Sequence, residues 1–283
     1  MHWWDAVILG IVEGLTEFLP VSSTGHMILT NELLGYGRNT PEELKSFEIV
    51  IQFAAILAIA FVYRGKIAQM LGFRRVVSTR SLSVDELTRP RLGFTHVLLG
   101  IAPSLAVAYL LREPIKELGF QTVPVLWALV AGGVYMWAAE ALYESGKIRR
   151  TAETMDEISW RQALAIGCIQ CISAIWPGFS RSGSTIAGGM LVGLSYRASA
   201  DFSFFIAIPI MACATGYELL ENRHLFLGGA MDAGFLALGF AVSFVTALVV
   251  VVGFLRALQK IKLKHFAWYR FALAAIFYAT IVR

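Results

Sequence analysis

The sequence predicts an all-α integral membrane fold: six transmembrane helices plus two re-entrant helix hairpins in an inverted-topology internal repeat. Three observations carry that reading. Hydrophobic residues fill 57% of the 283 positions and charged residues only 16%, with a mean hydropathy of +0.64, more apolar surface than a soluble core of this size uses. The apolar residues gather into runs of about 20, the length that crosses a bilayer as a helix. Two shorter apolar segments, 3–19 and 160–176, carry polar groups in their middles and stop alike at Pro20 and Pro177. Together these exclude a soluble enzyme, a disordered chain and a nucleic-acid-binding domain. The net charge of +4 and pI near 9.0 come from basic residues lying between the apolar runs, where they orient the chain, so no nucleic acid is expected as a partner. Cys168, Cys171 and Cys213 all fall inside apolar stretches and give no disulfide framework.

Taken in order, segment 3–19 is not expected to be a cleavable signal, because its n-region has no Lys or Arg and Asp5 and Glu13 interrupt it. A re-entrant half-helix fits it better, since irregular backbone at membrane depth needs protein or a wet cavity around it. Spans are expected at about 47–63, 93–111 and 122–143; after segment 160–176 come spans at about 201–219, 233–255 and 265–282. Loop 64–92 holds Arg64, Lys66, Arg74, Arg75, Arg80, Arg89 and Arg91, and loop 256–264 holds Arg256, Lys260, Lys262 and Lys264, which assigns both to the cytoplasm. Loops 20–46, 112–121 and 220–232 are poor in Lys and Arg and face outward. Counting crossings then makes both short segments the entry arms of hairpins that dip into the membrane and return.

The two hairpins align without gaps at one offset, pairing Trp3 with Trp160, Gly10 with Gly167, Glu13 with Gln170, Pro20 with Pro177 and Ser23 with Ser180. Three spans follow each hairpin, and an odd number of crossings inverts the second copy, the signature of a membrane protein whose site lies where two broken helices meet. The chain is thus one polytopic membrane domain, 1–283, with repeat one at about 1–143 and repeat two at about 157–283.

The residues fitted for chemistry sit at the hairpin bends. Glu13 and Glu17 project from one helix face a turn apart, costly in an apolar helix and therefore candidates to pair with cations, bind a metal or handle protons. After the stop at Pro20 come Ser22, Ser23, Thr24, Gly25 and His26, which put nucleophile and base types together. The second bend offers Gly178, Ser180, Arg181, Ser182, Ser184 and Thr185 ahead of a Gly-rich helix, an anion site in which forked guanidinium donors and hydroxyls meet a helix N-terminus. Arg181 is equally suited to a salt bridge with Glu13 or Glu17, and the two roles are compatible. No G-x-x-x-x-G-K-[ST] motif is present, which argues against nucleotide hydrolysis. The set fits phosphoryl transfer: Glu13 and Glu17 holding a divalent cation, Mg2+ or Ca2+, Ser23 attacking phosphorus, His26 taking its proton, and Arg181 stabilising the equatorial oxygens. Ser22, Thr24, Gly178, Ser180, Ser182, Ser184 and Thr185 are the expected substrate contacts. Glu48 and Asp201 are expected to support the bends from behind, Cys168-x-x-Cys171 reads as small-residue packing, and His96 as an interface residue.

At these residues the sequence resembles the undecaprenyl-diphosphate phosphatase, or bacitracin-resistance, family. Glu13-Gly14-Leu15-Thr16-Glu17-Phe18-Leu19-Pro20-Val21-Ser22-Ser23-Thr24-Gly25-His26 looks like the family's first signature, and Pro177-Gly178-Phe179-Ser180-Arg181-Ser182-Gly183-Ser184-Thr185 like its second. The likeness extends to Phe47-Glu48-Ile49-Val50-Ile51-Gln52 and Tyr269-Arg270-Phe271. It implies a hydrolase of the bacterial inner membrane that removes the terminal phosphate of a C55 polyprenyl diphosphate and returns the lipid carrier to cell-wall synthesis. It further implies an outward-opening site, a divalent cation, catalytic roles for Glu13, Glu17, Ser23, His26 and Arg181, and bacitracin as a competitor for the lipid substrate. Whether the chain pairs as a homodimer stays open. The alternative is a polyprenyl-phosphate transporter or flippase, since inverted repeats with broken helices also build carriers. A carrier needs charge compensation but no nucleophile, which favours hydrolysis.

Overall fold

A computed structural model describes residues 2–37, 41–73, 92–221, 223, 232–258 and 260–282. Arg74, Arg75, Arg80, Arg89 and Arg91 of the basic loop, and most of the 220–232 loop, lie outside the described residues. Helices account for the architecture, and no strand occurs among the described residues.

The helices are α1 (Trp3–Thr16), α2 (Ser23–Leu33), α3 (Glu42–Val62), α4 (Arg64–Met70), α5 (Phe94–Leu110), α6 (Thr122–Glu144), α7 (Trp160–Ile175), α8 (Arg181–Leu191), α9 (Tyr196–Glu221), α10 (Ala233–Ala257) and α11 (Leu263–Phe277). Four of them, α3, α6, α9 and α10, are long and apolar enough to cross a membrane. The other two expected spans are helices at the expected places but shorter, 17 residues in α5 and 15 in α11. A wider π-type turn, Tyr278–Val282, prolongs α11. Helix α3 begins well before its apolar run because Pro41 sits at its N-cap and Glu42 and Glu43 complement the positive end of the helix dipole.

Polarity is distributed for a lipid solvent. Large apolar side chains such as Leu98, Trp127, Val249 and Trp268 are exposed, whereas Glu13, Ser104, Glu140, Gln170, Ser203, Thr215, Ser243 and Arg270 are buried. Small residues let the helices close. Helix α1 packs most extensively on α10, and α7 on α5. A Cβ on Gly10 would stand 2.9 Å from the Gly239 carbonyl oxygen, one on Gly14 2.6 Å from that of Ser243, and one on Gly167 2.4 Å from that of Leu99. Helix α1 thus lies against α10 and α7 against α5, backbone to backbone, as small-residue packing in membranes allows. Gln170 adds a polar tie by donating to Ser104 Oγ at 2.6 Å. Gly188 and Gly189 make the same kind of close contact, against Ile169 and Ser199.

The two bends are built alike, with one difference from the gap-free alignment. Helices α1 and α7 both start at tryptophans, Trp3 and Trp160, and both bends are followed by helices of 11 residues. Yet the residue that caps α8, Ser180, corresponds to Ser22 rather than Ser23. Ser22 and Ser180 have φ of 74° and 76°, the only non-glycine residues with positive φ among those described. Each serine hydroxyl accepts from the amide three residues on, Gly25 N at 3.3 Å and Gly183 N at 3.1 Å. The extra residue in the second bend is Gly178, whose φ of 98° absorbs the insertion. Ser23 therefore matches Arg181 in position, each being the first residue of its helix.

Candidate active site

The break after α1 carries the chain from Glu17, the C-cap of α1, through Phe18-Leu19-Pro20 to the Ser22 cap. Helix α1 ends at Thr16 and the turn runs through Pro20, which has no amide hydrogen to give to a continuing helix, so that Ser23 comes back towards Glu17. Ser23 Oγ donates to Glu17 Oε2 at 2.6 Å. The other oxygen, Oε1, accepts from Arg181 Nη2 at 3.2 Å. The Glu17 and Arg181 side chains are only 8% and 15% exposed, so this ion pair lies in a low-dielectric setting where losing one partner costs about 3–5 kcal/mol. Arg181 also donates through Nη1 to the Ser203 carbonyl oxygen at 3.3 Å and has its guanidinium 5.7 Å from the centre of the Phe18 ring. The salt bridge foreseen from the sequence thus forms with Glu17.

A second contact joins the bends directly. Ser182 Oγ donates to the Leu19 carbonyl oxygen at 3.0 Å and lies 3.2 Å from Ser180 Oγ. Thr185 Oγ1 bonds Ser203 Oγ at 2.6 Å and donates to the Arg181 carbonyl oxygen; Ser184 Oγ donates to the same carbonyl. Ser184 and Thr185 are wholly buried, and these hydroxyl contacts are to other protein atoms. Thr24 is half-buried on the first turn of α2, and the Gly178 carbonyl accepts from Arg270 Nη2 at 2.8 Å.

His26 is arranged differently from the expectation that it takes the Ser23 proton. Its Nδ1 lies 2.7 Å from the Ser22 carbonyl oxygen and its Nε2 2.7 Å from the Tyr269 hydroxyl, with the two rings within 5° of parallel. A carbonyl oxygen only accepts, so Nδ1 carries the proton, and in the neutral ring Nε2 accepts from Tyr269. Both nitrogens are thereby used, and the group facing the Ser23 hydroxyl is Glu17. The Nδ1 contact ties the ring to the carbonyl of Ser22, whose backbone state costs on the order of 1–3 kcal/mol and persists only where its surroundings fix it.

Glu13, a turn before Glu17, is buried, and its Oε1 has no hydrogen-bond partner. Glu48 on α3 accepts from Asn31 Nδ2 at 2.7 Å, in the last turn of α2 and away from the bend it was expected to support. Asp201 accepts from Tyr63 at 2.6 Å and Arg197 at 2.7 Å, away from the Arg181 bend. His96 caps its own helix, accepting from Gly93 N. Among the described residues no three His, Cys, Asp or Glu side chains converge as a metal cage. A cavity of about 530 Å³ opens at the far end of α2, lined by Ile28, Asn31, Glu32, Phe120, Gln121 and Ile281.

Two motifs on separate helices, joined at Glu17–Arg181, agree with a comparison against protein families: the model for the bacitracin resistance protein BacA matches residues 6–276. The chain belongs to the BacA family, the undecaprenyl-diphosphate phosphatase family. In this BacA-family chain the match takes in both bends and α11, which contributes Tyr269 and Arg270. Sequence reasoning gave those two residues no role. A cation in the middle of an apolar helix was the available signal for Arg270, whereas Tyr269 has none, because aromatic residues are ordinary on membrane helices.

Proposed function

We propose that this chain is an inner-membrane hydrolase that cleaves undecaprenyl diphosphate to undecaprenyl phosphate and inorganic phosphate, with Ser23 as the nucleophile. The observation that carries the reading is the short Ser23–Glu17 hydrogen bond beside Arg181. A carrier has no use for a hydroxyl held against a carboxylate.

In the first step Ser23 Oγ attacks the terminal phosphorus while its proton passes to Glu17, and the bond to the bridging oxygen breaks, releasing the polyprenyl phosphate. Arg181 donates to the equatorial oxygens, where charge is spread in the transition state. In the second step water attacks the phosphoseryl group, Glu17 takes the water proton once its first proton has left with the lipid phosphate, and that proton returns to Ser23 Oγ as phosphate departs. His26 holds Ser22, and through it the approach angle of Ser23. Ser180 and Ser182 hold the second bend against the first, and Thr24 is the remaining hydroxyl for a substrate oxygen.

The donor set around Glu13 fits a hard cation. Its unpartnered buried oxygen, with the neighbouring Glu17, suits Mg2+ or Ca2+ held by one or two carboxylates and completed by substrate phosphate oxygens and water. Such an ion would screen the diphosphate and polarise its oxygens.

The fold reading belongs to the same proposal. Helices α1–α2 and α7–α8 are hairpins entering from opposite faces, the site opens outward, and α5 and α11 complete six crossings. The reciprocal packing of α1 on α10 and α7 on α5 supports an inverted repeat. Phosphate release from undecaprenyl diphosphate by the purified chain, with and without EDTA, tests the function. Lipid binding without release would favour the carrier.

A further inference from the structure

Arg270 is the largest fully buried side chain among the described residues, in the middle of α11. A guanidinium there usually meets a carboxylate, yet no carboxylate pairs with it among the described residues. Two of its nitrogens instead reach three backbone carbonyls, Nε to Leu129 O at 3.1 Å, and Nη2 to Ala128 O at 3.0 Å and Gly178 O at 2.8 Å, while Nη1 is buried with no partner among the described residues. Two of these belong to α6 and the third to the second bend, three residues before Arg181.

The surroundings are cut to admit this contact. A Cβ on Gly132 would stand 2.4 Å from Arg270 Nη2 and 2.5 Å from the Phe179 carbonyl oxygen, so that glycine makes room for guanidinium and bend together. Gly178 has φ of 98°, and a Cβ there would stand 2.9 Å from the Val125 carbonyl oxygen. The turn that inserts one residue into the second bend is thus held from one side by α6 and from the other by Arg270. Its sequence neighbour Tyr269 bonds His26 of the first bend, so consecutive residues of one helix grip both bends.

We propose that Arg270 is a positioning residue of the reaction: its planar fork fixes the Gly178 turn against α6 and thereby sets where Arg181 stands over the transferring phosphoryl group. The inference rests on the phosphatase reading above. Lysine cannot replace it, because one ammonium does not span three carbonyls at the angles a fork does. A displacement of about 1 Å at a group that acts in the transition state lowers turnover by about a hundredfold.

The test compares the wild-type chain, Arg270→Lys and Gly132→Ala, purified in the same detergent, by steady-state phosphate release, inhibition by orthovanadate and thermal unfolding. Gly132→Ala keeps the arginine and pushes on its fork, so it carries the test if Arg270→Lys does not fold. The expected result is a fall in kcat of about a hundredfold with KM little changed, weaker vanadate inhibition, and protein that is still folded at the assay temperature. Guanidinium, but not methylammonium, should partly restore an Arg270→Ala protein. Wild-type kcat in folded Arg270→Lys, or losses that track only the unfolded fraction, would overturn the inference. No release by the wild type would instead strike the phosphatase reading itself.

Discussion

Ser23 Oγ lies 2.6 Å from Glu17 Oε2, across the break between α1 and α2, and gives its hydrogen bond to that carboxylate and not to His26. The other oxygen of Glu17 meets Arg181 from the opposite bend. One carboxylate therefore connects the candidate nucleophile with the candidate phosphate-binding cation, and the roles of the surrounding residues follow from it.

Glu17→Gln keeps the shape of the side chain but removes its basicity and leaves Arg181 without its counter-charge. Turnover is expected to fall by about 10²–10⁴-fold, with the bound lipid still detectable. Phosphate release and lipid binding measured on the same preparation check this, and near-normal turnover would remove Glu17 from proton transfer.

Tyr269→Phe removes one hydroxyl, the donor to His26 Nε2. If that bond orients His26 so that it holds Ser22, the loss in kcat is expected to be non-additive with His26→Ala, with a coupling of about 0.5 kcal/mol or more in a double-mutant cycle. Additive losses would mean that the stacked pair has no part in placing Ser23.

Much of this was legible in the sequence, for physical reasons. Lipid forces apolar runs of helical length, so every expected span became a helix; prolines at 20 and 177 mark both breaks, whereas Pro103 and Pro209 lie within helices; and acids and an arginine in apolar surroundings identify themselves by their cost. The sequence is silent where backbone detail decides. A constant offset cannot reveal that Gly178 takes up one residue, so Ser180 was matched to Ser23 instead of Ser22. Spacing places Ser23 and His26 together but says nothing of ring direction, which the Ser22 carbonyl and a tyrosine 243 residues away determine. Nor does sequence distinguish a helix face turned to solvent from one turned to other side chains, as Ser184 and Thr185 are to Ser173 and Ser203.

Stability should depend on glycines where helices meet backbone to backbone. Gly14→Ala and Gly167→Ala are each expected to cost about 1–3 kcal/mol by overpacking, since their new Cβ atoms fall 2.6 Å and 2.4 Å from carbonyl oxygens. Gly216→Ala, with nothing within 4 Å of its Cβ, should instead gain about 0.5–1 kcal/mol from helix propensity. Reversible unfolding in mixed micelles measures all three, and equal effects would contradict the packing described.

Removal of divalent cations with EDTA should stop phosphate release, and added Mg2+ or Ca2+ should restore it. Glu13→Gln should raise the cation concentration needed and weaken Mn2+ binding followed by electron paramagnetic resonance. Full turnover in EDTA would take the cation out of the mechanism.

The most direct measurement is to incubate the purified wild type and Ser23→Ala with undecaprenyl diphosphate labelled in its terminal phosphate, quench in acid, and locate any protein-bound label. Transient label is expected on Ser23 of the wild type together with free phosphate, and neither in Ser23→Ala despite retained lipid binding. Steady phosphate release by Ser23→Ala, with no label on either protein, would contradict it.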